Sequence, residues 1–127
     1  MKKTLKPKTI VAADDSSLAR EALCKAFEVE KDYELHAEAV NGEEAITLAK
    51  EYKPDLIILD LSMPVLNGIE AARVLKRILP GTPIILLTLY VDAAALQLIG
   101  KNVPVDRVVA KSEVSSIVGH VRSLIAA

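Results

Sequence analysis

The chain has 127 residues, 51% hydrophobic and 26% charged, with 16 basic against 17 acidic side chains, which fits one domain spanning 1–127 that buries about two-thirds of its unfolded surface. The apolar content excludes disorder, and a single cysteine, Cys24, excludes a disulfide framework and points to a reducing, cytoplasmic setting. No apolar run approaches the ~18 residues of a membrane span, and a net charge of −1 with three tyrosines and one phenylalanine argues against a nucleic-acid surface.

In chain order, the basic start (Lys2, Lys3, Lys6) reads as a solvated tail. Thr9–Ala13 is too short and too apolar for a helix and reads as the first strand. Leu18, Ala19, Ala22, Leu23, Ala26 and Phe27 recur at helix spacing and predict the first helix, with Cys24 as a buried apolar member. Leu35–Val40 reads as the second strand, and Asn41 with Glu44 supplies an N-cap for a helix through Ala45, Ile46, Ala49 and Tyr52. Leu56–Leu59 and Ile84–Leu87 are apolar on both faces, as buried parallel strands are. Between them Ile69, Ala72, Leu75, Ile78 and Leu79 form a third helical stripe, ended by Pro80 and Gly81. A short, almost wholly apolar stretch from Val91 to Ile99 predicts a fourth helix. Val108–Ala110 reads as the last strand, and the stripe from Val114 to Ile125 as the last helix. Five βα units predict an α/β fold, a parallel sheet with helices on both faces.

Ligands of such sheets sit beyond the carboxyl ends of the strands. There the first strand ends in Asp14 and Asp15, the third in Asp60 and the fourth in Thr88, while the fifth runs into Lys111. Singly, each has an ordinary reading: Asp14 and Asp15 as helix caps, Asp60 as a turn former, Thr88 as a strand residue, Lys111 as a surface charge. Together they bring three carboxylates, a hydroxyl and an ammonium to one edge. Carboxylates this close repel unless a cation neutralises them, and an all-oxygen set favours a hard ion such as Mg²⁺. Asp60, ending a buried strand, is the carboxylate best placed to act as a nucleophile, with Thr88 and Lys111 binding oxygens of an incoming phosphoryl group. His36 and His120 have no partner at metal-ligand spacing.

With these residues in view, the chain resembles the response-regulator receiver domains of two-component signalling. The resemblance is carried by Asp14-Asp15, by the stretch Asp60-Leu-Ser-Met63-Pro64-Val-Leu-Asn67-Gly68-Ile-Glu70, by Thr88 and by Lys111, and it covers essentially the whole chain. It implies a flavodoxin-like (βα)5 three-layer sandwich with a five-stranded sheet in the order 2-1-3-4-5. It implies that Asp60 accepts a phosphoryl group from a sensor histidine kinase, a phosphotransfer protein or a small phosphodonor. Mg²⁺ would be held by Asp15, Asp60 and the backbone carbonyl of Ser62, with Asp14 acting through water. Thr88 would be the switch hydroxyl and Lys111 the partner of the phosphoryl group. The implied function is a cytoplasmic signalling switch whose catalysis is confined to its own aspartate.

Several positions depart from the family pattern. Val108 stands where an aromatic is usual, with Tyr90 as a candidate substitute. Leu89 replaces a small residue and would restrict access to Asp60, and Ser112 replaces a proline and is expected to cap the last helix. Two rival readings follow: a Mg²⁺-dependent phosphohydrolase using Asp60, and a receiver-like interaction module that does not switch. The first typically wants a second acid where Ser62 stands, while Val108 and Leu89 favour the second. Because the fourth helix cannot show a half-polar circumference, apolar side chains there must face outward. Leu96, Leu98 and Val108 are therefore expected on a partner face formed by the fourth helix, fifth strand and fifth helix, for a second copy or an output domain. No membrane and no direct nucleic-acid partner is expected for this domain.

Overall fold

The computed structural model describes residues 6–89 and 92–126. The elements are β1 (Lys8–Ala13), α1 (Ser17–Glu28), β2 (Tyr33–Ala39), α2 (Gly42–Tyr52), β3 (Leu56–Asp60), α3 (Gly68–Ile78), β4 (Ile84–Thr88), α4 (Ala93–Asn102), β5 (Arg107–Ala110), a 3-10 turn (Lys111–Ser116) and α5 (Ile117–Leu124). All strands pair in parallel in the order β2-β1-β3-β4-β5, the flavodoxin-like arrangement expected above.

Strand periodicity divides the interior in two. Ile57 and Leu59 of β3 join Ile84 and Leu86 of β4 under α2 and α3, which contribute Ala45, Ala49, Ala71, Ala72 and Leu75. Leu56, Ile58, Ile85 and Leu87 point the other way, against Leu23 and Phe27 of α1 and Ile117 and Val121 of α5. Every residue of β3 and β4 is buried, because helices cover both faces of the sheet centre. Full burial of each such Leu or Ile contributes about 1.5–3 kcal/mol. The small alanines of α2 and α3 let those helices lie close to the sheet. At the edge, Ile10 pairs with Leu35 but Val11 with Ala37, so His36 bulges out of β2.

The helix starts follow local chemistry. Asn41 accepts from the Glu44 amide at 2.8 Å, while the Glu44 carboxylate accepts from the Val40 amide at 3.1 Å. Asn67 and Glu70 form a complete reciprocal box, with bonds of 2.9 and 3.1 Å, so part of the family-like motif is also the N-terminal cap of α3. The third helix stops at Ile78, just ahead of Pro80 and Gly81.

Three expectations change. The last helical stripe is broken: Glu113 leaves helical geometry, and α5 proper begins only at Ile117. Ser112 caps nothing, because the 3-10 turn starts at Lys111 and encloses it. Cys24 is only partly buried, and its thiol donates to Glu38 Oε2 at 3.1 Å. Tyr90, the candidate substitute aromatic, and Val91 lie outside the described residues. The expectation for α4 holds: none of its residues is buried, and Ala93, Ala94 and Leu98 are exposed.

Candidate functional site

Each predicted chemical residue lies at the carboxyl edge of the sheet. Asp60 is the last residue of β3 and Thr88 the last of β4, Asp14 directly follows β1, and Lys111 directly follows β5. Asp14, Asp60 and Lys111 continue the alternation that turns Ala12, Ile58 and Val109 toward α1 and α5, so all three reach the same side. There the Lys111 ammonium stands 2.9 Å from Asp14 Oδ2 and 3.2 Å from Asp60 Oδ1. Asp14, Asp60 and Thr88 are the buried polar residues of the described chain, at 0%, 3% and 2% exposure. Asp15 is exposed, yet one of its carboxylate oxygens lies within 4.8 Å of oxygens of Asp14 and Asp60.

Asp14 is held from several directions. Its amide donates to Ala39 O at 3.0 Å, its Oδ1 accepts from the Ser16 amide at 3.0 Å, and its carbonyl accepts from Arg20 Nη1 at 2.8 Å. Ser16 rather than either aspartate is the N-cap of α1. The segment after Asp60 is pinned by Gly68 N to Leu61 O at 3.0 Å and Gly42 N to Leu66 O at 2.9 Å. A Cβ on Gly42 would come within 2.3 Å of the Leu66 carbonyl oxygen, so only glycine permits this approach of α2 to the loop. Val65 turns the loop tightly, at φ 67°, with Leu66 N bonded to Pro64 O at 2.7 Å. Met63 is tucked into the core beneath α2 and α3 and anchors the loop.

The electrostatics follow from burial. Desolvation, then the charge of Asp14, pushes the Asp60 carboxyl up to about 6, with Lys111 opposing. For Lys111 burial works downward, but Asp14 and Asp60 outweigh it and hold the ammonium above the ordinary lysine value. Among the described residues, buried Asp14 Oδ2 has no hydrogen bond of acceptable geometry, its contact with Lys111 being ionic. A cluster of three carboxylates without nitrogen or sulfur ligands, one of whose buried oxygens is met only by an ammonium among the described residues, fits a hard divalent cation such as Mg²⁺.

A cavity of about 630 Å³ opens over the cluster, lined by Asp15, Ser16, Ala19, Asp60, Leu61, Ser62, Thr88, Leu89 and Lys111. Ser62 is exposed at its rim, as is Leu89 at 78%. The expected partner residues are not equivalent: Leu98 is 63% exposed, whereas Leu96 is half-buried and Val108 packs partly into the core below α2 and α3. Leu96 and Val108 line a groove of about 430 Å³ between α4 and β5, floored in part by Gly100. His36 stacks edge-on against Tyr52, and His120 lies 3.4 Å from Arg107 Nη1, both away from the cluster. Sequence reasoning missed Arg20 and Ser16 as supports of Asp14. The available signal was an arginine in the first turn of the helix that follows the acidic pair, five and six residues beyond it.

The profile of the response regulator receiver domain family matches residues 10–120. Transcriptional regulatory protein LnrK of Bacillus subtilis is 34% identical over 87 residues, covering 68% of this chain and 40% of that protein. The uncharacterised transcriptional regulatory protein YhcZ of the same organism is 43% identical over 83 residues, covering 65% of this chain and 39% of that protein. The matched stretch is thus well under half the length of either relative. The crystal structure of a LuxR-family two-component response regulator from an Aurantimonas species superposes with a TM-score of 0.83 at 27% identity, covering 94% of this chain and 85% of that one. With the sheet order, the strand-end residues and these matches in agreement, the chain belongs to the response regulator receiver domain family.

Proposed function

We propose that residues 1–127 form a receiver domain that acts as a cytoplasmic phosphorylation switch, with Asp60 as phosphoacceptor. The observation that carries this reading is the Asp60 carboxylate, buried at the end of β3, 3.2 Å from Lys111 and open to a cavity large enough for a phosphoryl group. An oxygen of Asp60 attacks phosphorus, the bond from phosphorus to the donor's nitrogen or oxygen breaks, and the donor leaves with that electron pair. Lys111 binds an oxygen of the arriving group, and the Thr88 hydroxyl follows it and reports its presence. The domain's catalysis is limited to forming and hydrolysing its own acyl phosphate.

Asp14, Asp15 and Asp60, with the main-chain carbonyl of Ser62, are the groups that would hold Mg²⁺. When bound, the ion neutralises the carboxylates and the phosphoryl oxygens. A raised Asp60 pKa without metal is the expected mark of a site built for that extra positive charge. The donor is a sensor histidine kinase, a phosphotransfer protein or a small phosphodonor. The reporting surface is α4, β5 and α5, where Leu98, Leu96 and the Val108 groove offer apolar area to a second copy or an output domain.

Intact-protein mass spectrometry after treatment with acetyl phosphate and Mg²⁺ tests the assignment. The wild type should gain one phosphoryl group and Asp60→Asn none; equal modification of both rejects Asp60 as the acceptor.

A further inference from the structure

Asp14 and Asp15 form the turn that leaves β1 and supply two of the three clustered carboxylates. A turn that must hold two like charges side by side needs its main chain fixed. On the strand side the Asp14 amide is anchored to Ala39 O. On the helix side its carbonyl is held by Arg20 Nη1 at 2.8 Å, a part-buried bond reaching back six residues. Arg20 is itself held: Nε lies 3.7 Å from Glu38 Oε1, and the other Glu38 oxygen accepts from the Cys24 thiol at 3.1 Å. The guanidinium thus bridges the edge strand β2 and the acidic turn. A planar fork can serve Glu38 and the Asp14 carbonyl at once, which a lysine ammonium serves far less well. Arg20 places positive charge beside the turn and is not itself among the residues that line the cavity.

We infer that Arg20 is a positioning residue for cation binding: it locks the Asp14–Asp15 turn so that both carboxylates face Asp60, and Glu38 holds Arg20 in place. The inference rests on the reading of the cluster as a Mg²⁺ site. Supporting groups one step behind metal-binding residues commonly set affinity by tenfold or more. The Cys24 thiol, pushed up to about 11 by burial and Glu38, remains a neutral donor at the far end of this chain of contacts.

The test is a calorimetric Mg²⁺ titration of the wild type, Asp15→Asn, Arg20→Met, Arg20→Lys and Glu38→Gln, with thermal melts of each protein without metal. Wild type should bind and Asp15→Asn should not. Arg20→Met should bind about tenfold more weakly, with Arg20→Lys between it and the wild type and Glu38→Gln showing a smaller loss in the same direction. A merely structural arginine would give a lower melting temperature with wild-type affinity in the folded protein, and that result overturns the inference. If wild type fails to bind, or binds as well in Asp15→Asn, the reading of the cluster falls and the inference with it. Should Arg20→Met not fold, Glu38→Gln and Arg20→Lys decide: wild-type affinity in both overturns the inference.

Discussion

Gly68, the first residue of α3, lies so close to Asp60 that a Cβ built on it would stand 2.2 Å from the Asp60 carbonyl oxygen. The obstacle is main chain, so it cannot swing aside. Gly68→Ala should therefore push the start of α3 away from the phosphoacceptor, cost about 1–3 kcal/mol of stability and slow phosphorylation by acetyl phosphate. Gly119, within α5, has open space where its Cβ would be, and Gly119→Ala should instead stabilise the domain by about 0.5–1 kcal/mol. Urea unfolding of the two variants checks the contrast.

Asp60 makes metal-free stability depend on pH. Burial and Asp14 raise its pKa from 3.8 to about 6, so between those values the folded protein holds a proton that the unfolded chain has released. The stabilisation is complete below the unfolded value and is lost as pH rises through the folded one. Lys111 stays charged across this window, because its own pKa is raised. Without Mg²⁺, Asp60→Asn should become more stable than wild type as pH climbs from about 4 to about 7, by on the order of 1–3 kcal/mol. Denaturant midpoints across that range measure it; parallel curves for the two proteins contradict the assignment.

Mg²⁺ should raise the melting temperature of the wild type, because it binds the folded cluster and relieves repulsion there. At a tenfold excess over its dissociation constant the gain is about 1.4 kcal/mol. Asp15→Asn should abolish the response. Asp15 is exposed and its charge is solvated, so its loss should leave metal-free stability within about 0.5 kcal/mol of wild type. The carboxylate whose removal relieves strain is Asp60, since Asp14 is needed by Ser16 and Lys111.

On α4, Leu98→Glu places a charge at a position already 63% exposed and should change stability by less than about 0.5 kcal/mol. Leu96→Glu, half-buried over the Val108 groove, should cost more. Both should weaken any self-association that follows acetyl phosphate treatment, read by light scattering. A phosphorylated wild type that stays monomeric at high concentration would exclude a second copy as the occupant of this face.

The alternation of strand and helix, and the edge of the sheet where the chemistry gathers, were determined by the sequence alone. Periods of 2 and 3.6 and caps such as Asn41 and Asn67 are set by residues a few positions apart, so they can be read from the chain. The residues at the strand ends followed from the same reading. Tertiary structure decided how those residues divide their work. Whether Asp14 or Asp15 is the buried carboxylate, and that Lys111 pairs with both Asp14 and Asp60, depends on contacts between segments some fifty to a hundred residues apart. The exposure of Leu98 against the half-burial of Leu96, the broken start of α5 and the turning of the Cys24 thiol to Glu38 are likewise set by what lies opposite each side chain. Arg20 makes the difference plain: in the chain it is one more charge on an amphipathic helix, and only the pairing of β2 beside β1 brings Glu38 to hold it against the Asp14 carbonyl.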